Sequence, residues 1–348
     1  MSALSLVFSG AAAIFEDPLT ILYFLIGVFG GIVFGAIPGL TGALGVSLML
    51  PFTFAMSPTQ GITVLIGIYV GGVSGGLIAS IMLNIPGNAA AIVTCFDGSP
   101  MARNGHPYRA LSYGATASLI GGLFSGVVMI FVATKLARFG LMFGAWEYFA
   151  LGIMGLAVVI SLCSDDMIKG LISAIIGMML AMIGMDKLSS LERFTFGWWR
   201  LSGGFGEMTV LMGLFALGEI LSQLKNLGKP MKQVGSDERK TVLPRKGAFK
   251  GLKKTLCVSS VIGTLIGVLP GVGQSTAALV AYNQAKNSSK EPEKFGTGCA
   301  EGIVAPESAN NAVCGGALIP MMTLGIPGDT ITAMLMSGLI VHGLAPGA

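Results

Sequence analysis

Charge is scarce in this chain. Only 11% of its 348 residues are charged while 53% are hydrophobic, and the first 102 residues contain neither Lys nor Arg. So little polar sequence cannot cover a water-soluble globule, and a mean hydropathy of +0.79 places the chain in a lipid bilayer. Histidine is limited to His106 and His342, both read as loop residues. A two-histidine metal site would need a third ligand at a fitting spacing, and none is evident. The five cysteines, Cys95, Cys163, Cys257, Cys299 and Cys314, are odd in number, scattered and mostly within apolar runs. That pattern excludes a disulfide framework or a CxxC metal site and leaves them as small packing residues. Enzyme signatures are missing as well: there is no HExxH, no GxSxG, no Walker loop and no paired His and Asp in the apolar segments. Pro270 to Thr276, PGVGQST, lacks the lysine of a phosphate loop and reads as a backbone nest. Met1 to Ala13 has no basic stretch, so it is not read as a cleaved signal peptide.

The charge that is present is concentrated. Ten of the 21 Lys and Arg fall between Lys225 and Lys254, against two acids, Asp237 and Glu238. The net charge of +4 therefore reflects one loop and no nucleic-acid surface, and the positive-inside rule makes that loop cytoplasmic. Glycine is abundant, at 52 residues, which suits close helix packing and flexible breaks alike.

The chain also writes one unusual phrase twice. Ser74 to Gly87 reads SGGLIASIMLNIPG, and Asn310 to Gly328 reads NNAVCGGALIPMMTLGIPG. Aligning Pro86 with Pro327 lays Gly75 over Gly316, Leu77 over Leu318, Ile78 over Ile319, Ile85 over Ile326 and Gly87 over Gly328. Upstream, GAIPGLTG (Gly35 to Gly42) answers GVLPGVGQ (Gly267 to Gln274). Each half thus carries a Pro-Gly break, a spacer and an Ile-Pro-Gly break, all within apolar sequence. Bilayers tolerate such breaks only where protein or a water-filled cavity supplies hydrogen-bond partners. Interruptions in matching positions of two halves point to a transporter's binding site.

The expected fold is an all-α polytopic membrane protein of two inverted repeats with broken helices and re-entrant hairpins. Residues 1–109 form the first repeat, 110–224 scaffold spans, 225–254 the basic cytoplasmic loop and 255–348 the second repeat. In the first repeat a span runs Leu19 to Ile37, a re-entrant piece Pro38 to Pro51 and a span Thr59 to Leu83. After the break at Asn84 to Asn88 comes a half-helix, Ala89 to Phe96, and then a polar loop, Asp97 to Arg109. The scaffold spans lie near Ala110 to Thr134, Trp146 to Leu162, Met167 to Met185 and Glu207 to Leu224, with Trp146, Trp198 and Trp199 at span ends, where aromatic belts belong. In the second repeat, Thr255 to Leu269 is a span, Pro270 to Asn287 a re-entrant piece and Ser288 to Phe295 a polar loop; Gly296 to Leu324 then leads to the second break.

Broken helices offer free amides at one end, suited to anions, and free carbonyls at the other, suited to cations. The candidate substrate-binding set follows the breaks: Pro38, Gly39, Thr41, Asn84, Pro86, Gly87 and Asn88 in the first half. In the second it comprises Gly271, Gly273, Ser275, Thr276, Asn310, Asn311, Pro327 and Gly328. Ser47, Ser74, Gln274 and Thr323 lie around them. Such uncharged groups can hold a carboxylate and Na⁺ without a permanent charge; the alternative for each is an ordinary interhelical hydrogen bond. Glu301, Glu307 and Asp329 lie within apolar sequence, where a buried carboxylate costs about 2.5–3.5 kcal/mol and is usually functional or paired. They are the candidates for cation or proton coupling, against the reading that Glu301 and Glu307 start a helix near the interface.

Taken together, GAIPGLTG, LNIPGNAA, FDGSPMARNG, GVLPGVGQS, EKFGTGCAEGIVAPESANNA, GGALIPMMTLGIPGD and VHGLAPG closely resemble the large membrane subunit of the tripartite tricarboxylate transporters. The likeness runs through nearly the whole chain. It implies a permease of the bacterial inner membrane, importing citrate or other carboxylates on a cation gradient, Na⁺ or H⁺. It also implies two partners, a small membrane subunit and a periplasmic solute-binding protein, and no cofactor or metal beyond a transported Na⁺. A passive anion channel or membrane scaffold using the same breaks as a pore is the alternative. Family members usually run longer, so by this resemblance the closing helices are missing.

Overall fold

The structure, a computed structural model, describes residues 3–140, 167–186, 191–205, 247–269, 272–324 and 327–344, with Gly144, Trp146, Phe149, Ala150, Ile153, Leu243 and Pro244. Contacts group the chain into two units, one of residues 1–143 and 230–348, the other of residues 144–229.

In the first unit, helix boundaries follow local capping chemistry. Helix α1 spans Ala3–Phe15 and α2 Pro18–Ala36. Asp17 caps α2 by accepting from the Leu19 amide at 3.1 Å, and also receives Gln60 Nε2 and the Thr20 hydroxyl, each at 2.8 Å. Those hydrogen bonds, Gln60's first, hold its carboxyl below the usual range. A turn through Pro38 and Gly39, with Gly39 at φ +92°, ends at Thr41, whose hydroxyl caps α3 (Gly42–Thr53). Helix α4 (Pro58–Leu83) opens on a Ser57–Gln60 capping box and stops at Asn84, which adopts the left-handed conformation at φ 56°. A 3-10 turn at Ala89–Ala91 leads into α5 (Ile92–Arg103), and α6 spans Pro107–Gly140.

The second unit contains α7 (Met167–Ala181) and a two-residue antiparallel pair, β1 (Gly184–Met185) with β2 (Glu192–Arg193), tied by an Arg193–Asp186 ion pair of 3.0 Å. Back in the first unit come α8 (Lys253–Val268), α9 (Gly273–Asn287), α10 (Ala300–Leu324) and α11 (Thr330–Val341), the last capped by Asp329.

The helices are interrupted where expected, between α2 and α3, α4 and α5, α8 and α9, and α10 and α11. One segment differs. The expected polar loop from Asp97 to Arg109 is helical through Arg103, with Asp97 fully buried, so the loop shrinks to a turn before Pro107. The expected span from Met167 is helical only to Ala181. The expected span Glu207 to Leu224, nearly all of Trp146 to Leu162, and residues 225–242 of the basic loop lie outside the described residues.

Helices α2 and α4 and the Pro107–Phe131 part of α6 are long and apolar enough to cross a membrane. Only 22% of the apolar 18-residue stretch of α2 and 28% of that of α6 is buried, which in such a chain leaves surface for lipid, whereas α10 is buried continuously from residue 302 to 321 among α5, α6, α8 and α9. Among the described residues, two apolar cores hold this unit. One joins Val46, Leu65, Tyr69 and Val73 to Cys314, Leu318 and Leu335; the other joins Leu77, Ile81 and Tyr113 to Leu256, Ile303 and Val304. Along α4 the cores leave a gap between Val73 and Leu77, and along α10 between Val304 and Cys314. That gap holds Ser74 and the run from Glu307 to Asn311.

Glycine permits the close helix approach. Gly31 and Gly35 of α2 lie against the carbonyls of Ile68 and Gly72 in α4, and Gly263 and Gly267 of α8 against those of Ala309 and Val313 in α10. These are the same pairs under the alignment of Pro86 with Pro327 and Gly35 with Gly267. A Cβ on Gly267 would sit 2.7 Å from the Val313 carbonyl oxygen, and backbone cannot yield as a flexible side chain does. Gly267→Leu is therefore expected to cost about 1–3 kcal/mol or more by overpacking. The measurement is a melting curve in detergent, with Gly30→Leu, whose Cβ would meet nothing, as the control. An unchanged melt for Gly267→Leu would show that α8 and α10 are not packed this closely.

Candidate functional site

The gap between the two cores is filled by a hydrogen-bonded network around Glu307. This side chain is fully buried. One carboxylate oxygen accepts from the Thr94 hydroxyl of α5 at 2.5 Å, the other from the Ser118 hydroxyl of α6 at 2.9 Å. One turn on, the Asn311 amide donates to the Glu307 carbonyl at 3.1 Å and to the Asn310 side-chain oxygen at 2.6 Å. The Ser74 hydroxyl of α4 donates to Asn311 Oδ1 at 2.6 Å. The Asn310 amide nitrogen is buried with no acceptor among the described residues. No lysine, arginine or histidine pairs with Glu307 there. Its charge is met by neutral polar groups, the Thr94 and Ser118 hydroxyls with the Asn310 side chain nearby, although burial opposes an uncompensated carboxylate strongly.

Asp329 organises the second break differently. It caps α11 through a reciprocal pair with Thr332, and its other oxygen receives the Tyr69 hydroxyl of α4 at 2.8 Å and Gln274 Nε2 of α9 at 3.3 Å. At the first break, Asn88 donates to the carbonyls of Gly72 and Val73 at 3.1 and 3.2 Å and accepts from the Ala91 amide. Gly87 is pressed against Gly35 and Gly76, as Gly328 is against Gly267 and Ala317. The halves interlock: α3 packs on α11, and α9 packs on the 3-10 turn after the first break. Gly42 lies between Gly72 and Ile331, and Ser47 donates to the Met334 sulfur at 2.8 Å, so the start of α3 touches both interrupted regions.

The other candidate residues divide. Pro38, Gly39 and Thr41 form the turn into α3, Asn84 and Pro86 the first break, and Pro327 and Gly328 the approach to Asp329. Gly273, at φ +77°, opens α9, with Ser275 half-buried in its first turn. Thr276 and Thr323 spend their hydroxyls on their own helices, bonding Val272 and Ile319 carbonyls. Gly271 lies outside the described residues. Glu301 is set apart from the network: it meets Lys294 at 3.1 Å in the first turn of α10. Burial alone would pull the Lys294 ammonium down, but the Glu301 carboxylate beside it holds it above the ordinary lysine value. Among the described residues no three His, Cys, Asp or Glu side chains converge to hold a metal ion.

Three participants escape a reading of the sequence: Thr94, Ser118 and Asp97. Asp97 accepts the amides of Gly296, Gly298 and Cys299 at 2.8–3.0 Å and the Tyr282 hydroxyl at 3.0 Å. It thereby ties α5 to the start of α10 and to α9. The one available signal was an acid embedded in the apolar run AIVTCFDGS.

An all-helical polytopic membrane protein, with paired interruptions packed crosswise and a buried polar network on α10, is the class these features define. The chain belongs to the tripartite tricarboxylate transporter TctA family, a model of which matches residues 21–348. Membership makes it the permease component of a membrane transporter. A protein of Agrobacterium vitis, described only as an uncharacterized 52.8 kDa protein in the TAR-I ttuC' 3' region, is 36% identical over 347 residues, spanning 100% of this chain and 68% of that protein. Another from the same organism, described by the TAR-II ttuC' 3' region, is 46% identical over 75 residues, 22% of this chain and 31% of its own length. No solved structure matches.

Removing the Asp97 carboxylate leaves the buried Tyr282 hydroxyl and three part-buried amides without their acceptor, so Asp97→Ala is expected to destabilise the chain by about 3 kcal/mol or more. Asp97→Asn, which keeps one carbonyl oxygen, is expected to cost less. Thermal melting in detergent reads both; identical melts for wild type and Asp97→Ala would mean the amide nest is not a structural tie.

Proposed function

We propose that this chain is the large permease subunit of a binding-protein-dependent secondary transporter in the bacterial inner membrane. It imports tricarboxylates or related organic carboxylates on a Na⁺ or H⁺ gradient, alongside a small membrane subunit and a periplasmic solute-binding protein. Family membership supports the transporter class, and the resemblance to this family supports the partners. One observation carries the coupling: Glu307 is a fully buried carboxylate that, among the described residues, meets only neutral polar groups. In an apolar layer a lone carboxylate needs a cation or a proton for neutrality. A group neutral only when loaded can tie movement of the loaded form to an ion gradient.

In this reading the neutral groups of the breaks, Thr41, Asn88, Ser275 and Asn310 among them, receive the carboxylate substrate, aided by free amides at the starts of α3 and α9. Asp329, held by Tyr69 and Gln274, is the second candidate for the ion. Glu301, neutralised by Lys294, is assigned to helix capping instead.

The test is uptake of labelled citrate and related carboxylates by cells expressing all three components, across Na⁺ concentration and external pH. Glu307→Gln keeps the size of the side chain and its capacity to accept hydrogen bonds but cannot ionise. Its uptake on the cation gradient is expected to fall at least about tenfold, the equivalent of 1.4 kcal/mol of lost coupling. Uptake with unchanged ion dependence would remove Glu307 from that role, and no gradient-dependent uptake of any organic anion by the wild type would defeat the whole reading.

A further inference from the structure

A second polar site lies away from the breaks, where α8 begins and α9 passes into α10. A cavity of about 350 Å³ is lined there by Lys254 and Thr255 of α8, by Ser288, Ser289 and Lys290 after α9, and by the Lys294–Glu301 pair. Its lysines are not equivalent. Lys294 is neutralised by Glu301 at 3.1 Å and Glu291 at 3.7 Å, whereas Lys254 and Lys290 have no carboxylate partner among the described residues. Its hydroxyls are also uncommitted as donors. Ser288 accepts from Gln284 Nε2 and Ser289 from the Glu291 amide, so each keeps its proton, and Thr255 makes no hydrogen bond of its own.

We propose that this cavity binds a phosphate group, held by the ammonium groups of Lys254 and Lys290 and by the hydroxyls of Thr255, Ser288 and Ser289. Lys254 and Lys290 are exposed ammonium groups on the lining of one cavity, whose carboxylates, Glu291 and Glu301, both lie on Lys294, so an anion seated there is attracted by two uncommitted charges. Five donor groups spread around the rim exceed what a carboxylate's two oxygens take, and match a tetrahedral oxyanion contacted by lysines as point charges. The volume lies in the range of small-molecule sites and leaves room beyond the phosphate itself. Lys253 and Lys254 end the basic loop, so the site falls where that loop meets the apolar helices. Juxtamembrane basic clusters of that kind attract anionic headgroups, so the phosphate comes either free from solution or on a phospholipid. Bound there, it bridges the start of α8 to the turn before α10, the helix that carries Glu307.

The experiment measures binding of labelled inorganic phosphate to the full chain in nanodiscs of phosphatidylcholine, at constant ionic strength in chloride. Saturable binding is expected, weakened by about tenfold or more in Lys254→Ala/Lys290→Ala and unchanged in Lys286→Ala, outside the cavity lining. A second arm uses phosphatidylglycerol nanodiscs and native mass spectrometry. Phosphatidylglycerol retained by the wild type and lost from the double variant supports the site with a lipid headgroup as the source. Melting curves report whether the double variant folds; if it does not, Lys254→Gln and Thr255→Val carry the same comparison. Absence of both phosphate binding and retained phosphatidylglycerol, or binding indifferent to these lysines, overturns the proposal. Because the readout is equilibrium binding, its failure leaves the transport reading untouched, and loss of transport leaves it intact.

Discussion

A helix that stops inside an apolar layer leaves amides and carbonyls that water cannot reach, and every such group has to be met by protein. Much of this architecture answers that constraint. Thr41 takes the Leu44 amide, Asp329 takes that of Thr332, and Asn88 both accepts from Ala91 and donates back to α4. Partners this close require the flanking helices to approach almost backbone to backbone, which Gly35 and Gly267 allow. Interruption and glycine seam thus belong to one solution, repeated in both halves with equivalent residues.

The acids show how compensation sorts otherwise similar side chains. Glu301 has a lysine and sits in a first helical turn. Asp97 has three backbone amides and a tyrosine, a set of donors that makes it a structural tie. Asp329 divides its oxygens between capping a helix and binding Tyr69 and Gln274. Glu307 has, among the described residues, the hydroxyls of Thr94 and Ser118 and the neighbouring Asn310 side chain. Of the four, it alone combines complete burial with donors that bring neither formal charge nor a helix-end dipole. That contrast, more than the presence of an acid in an apolar stretch, is what singles out Glu307 for the proposed coupling role.

The network is also placed where packing allows motion to matter. Apolar cores lie on both sides of the Ser74 and Glu307 level, and the polar band between them is bonded across α4, α5, α6 and α10. A change in the charge of Glu307 therefore acts on four helices at once. Helices α3 and α9, which carry several of the proposed substrate groups, pack against the helix segments after the opposite breaks.

Local chemistry was legible in the residues alone. Membrane residence follows from composition, and the four interruptions from prolines, glycines and caps, because each of these effects acts over only a few positions along the chain. Family resemblance rested on ordered motifs and needed no fold. Charge compensation was not legible, since it depends on which distant segments close around a group. Asp97 was expected in a solvated loop because its amide partners lie beyond residue 295, and α6 was expected to be plain scaffold although its Ser118 completes the shell of Glu307. Tertiary packing separated Glu301 from Glu307, six positions apart on one helix, because one end of that helix meets a lysine while its buried middle meets only neutral polar groups and apolar side chains.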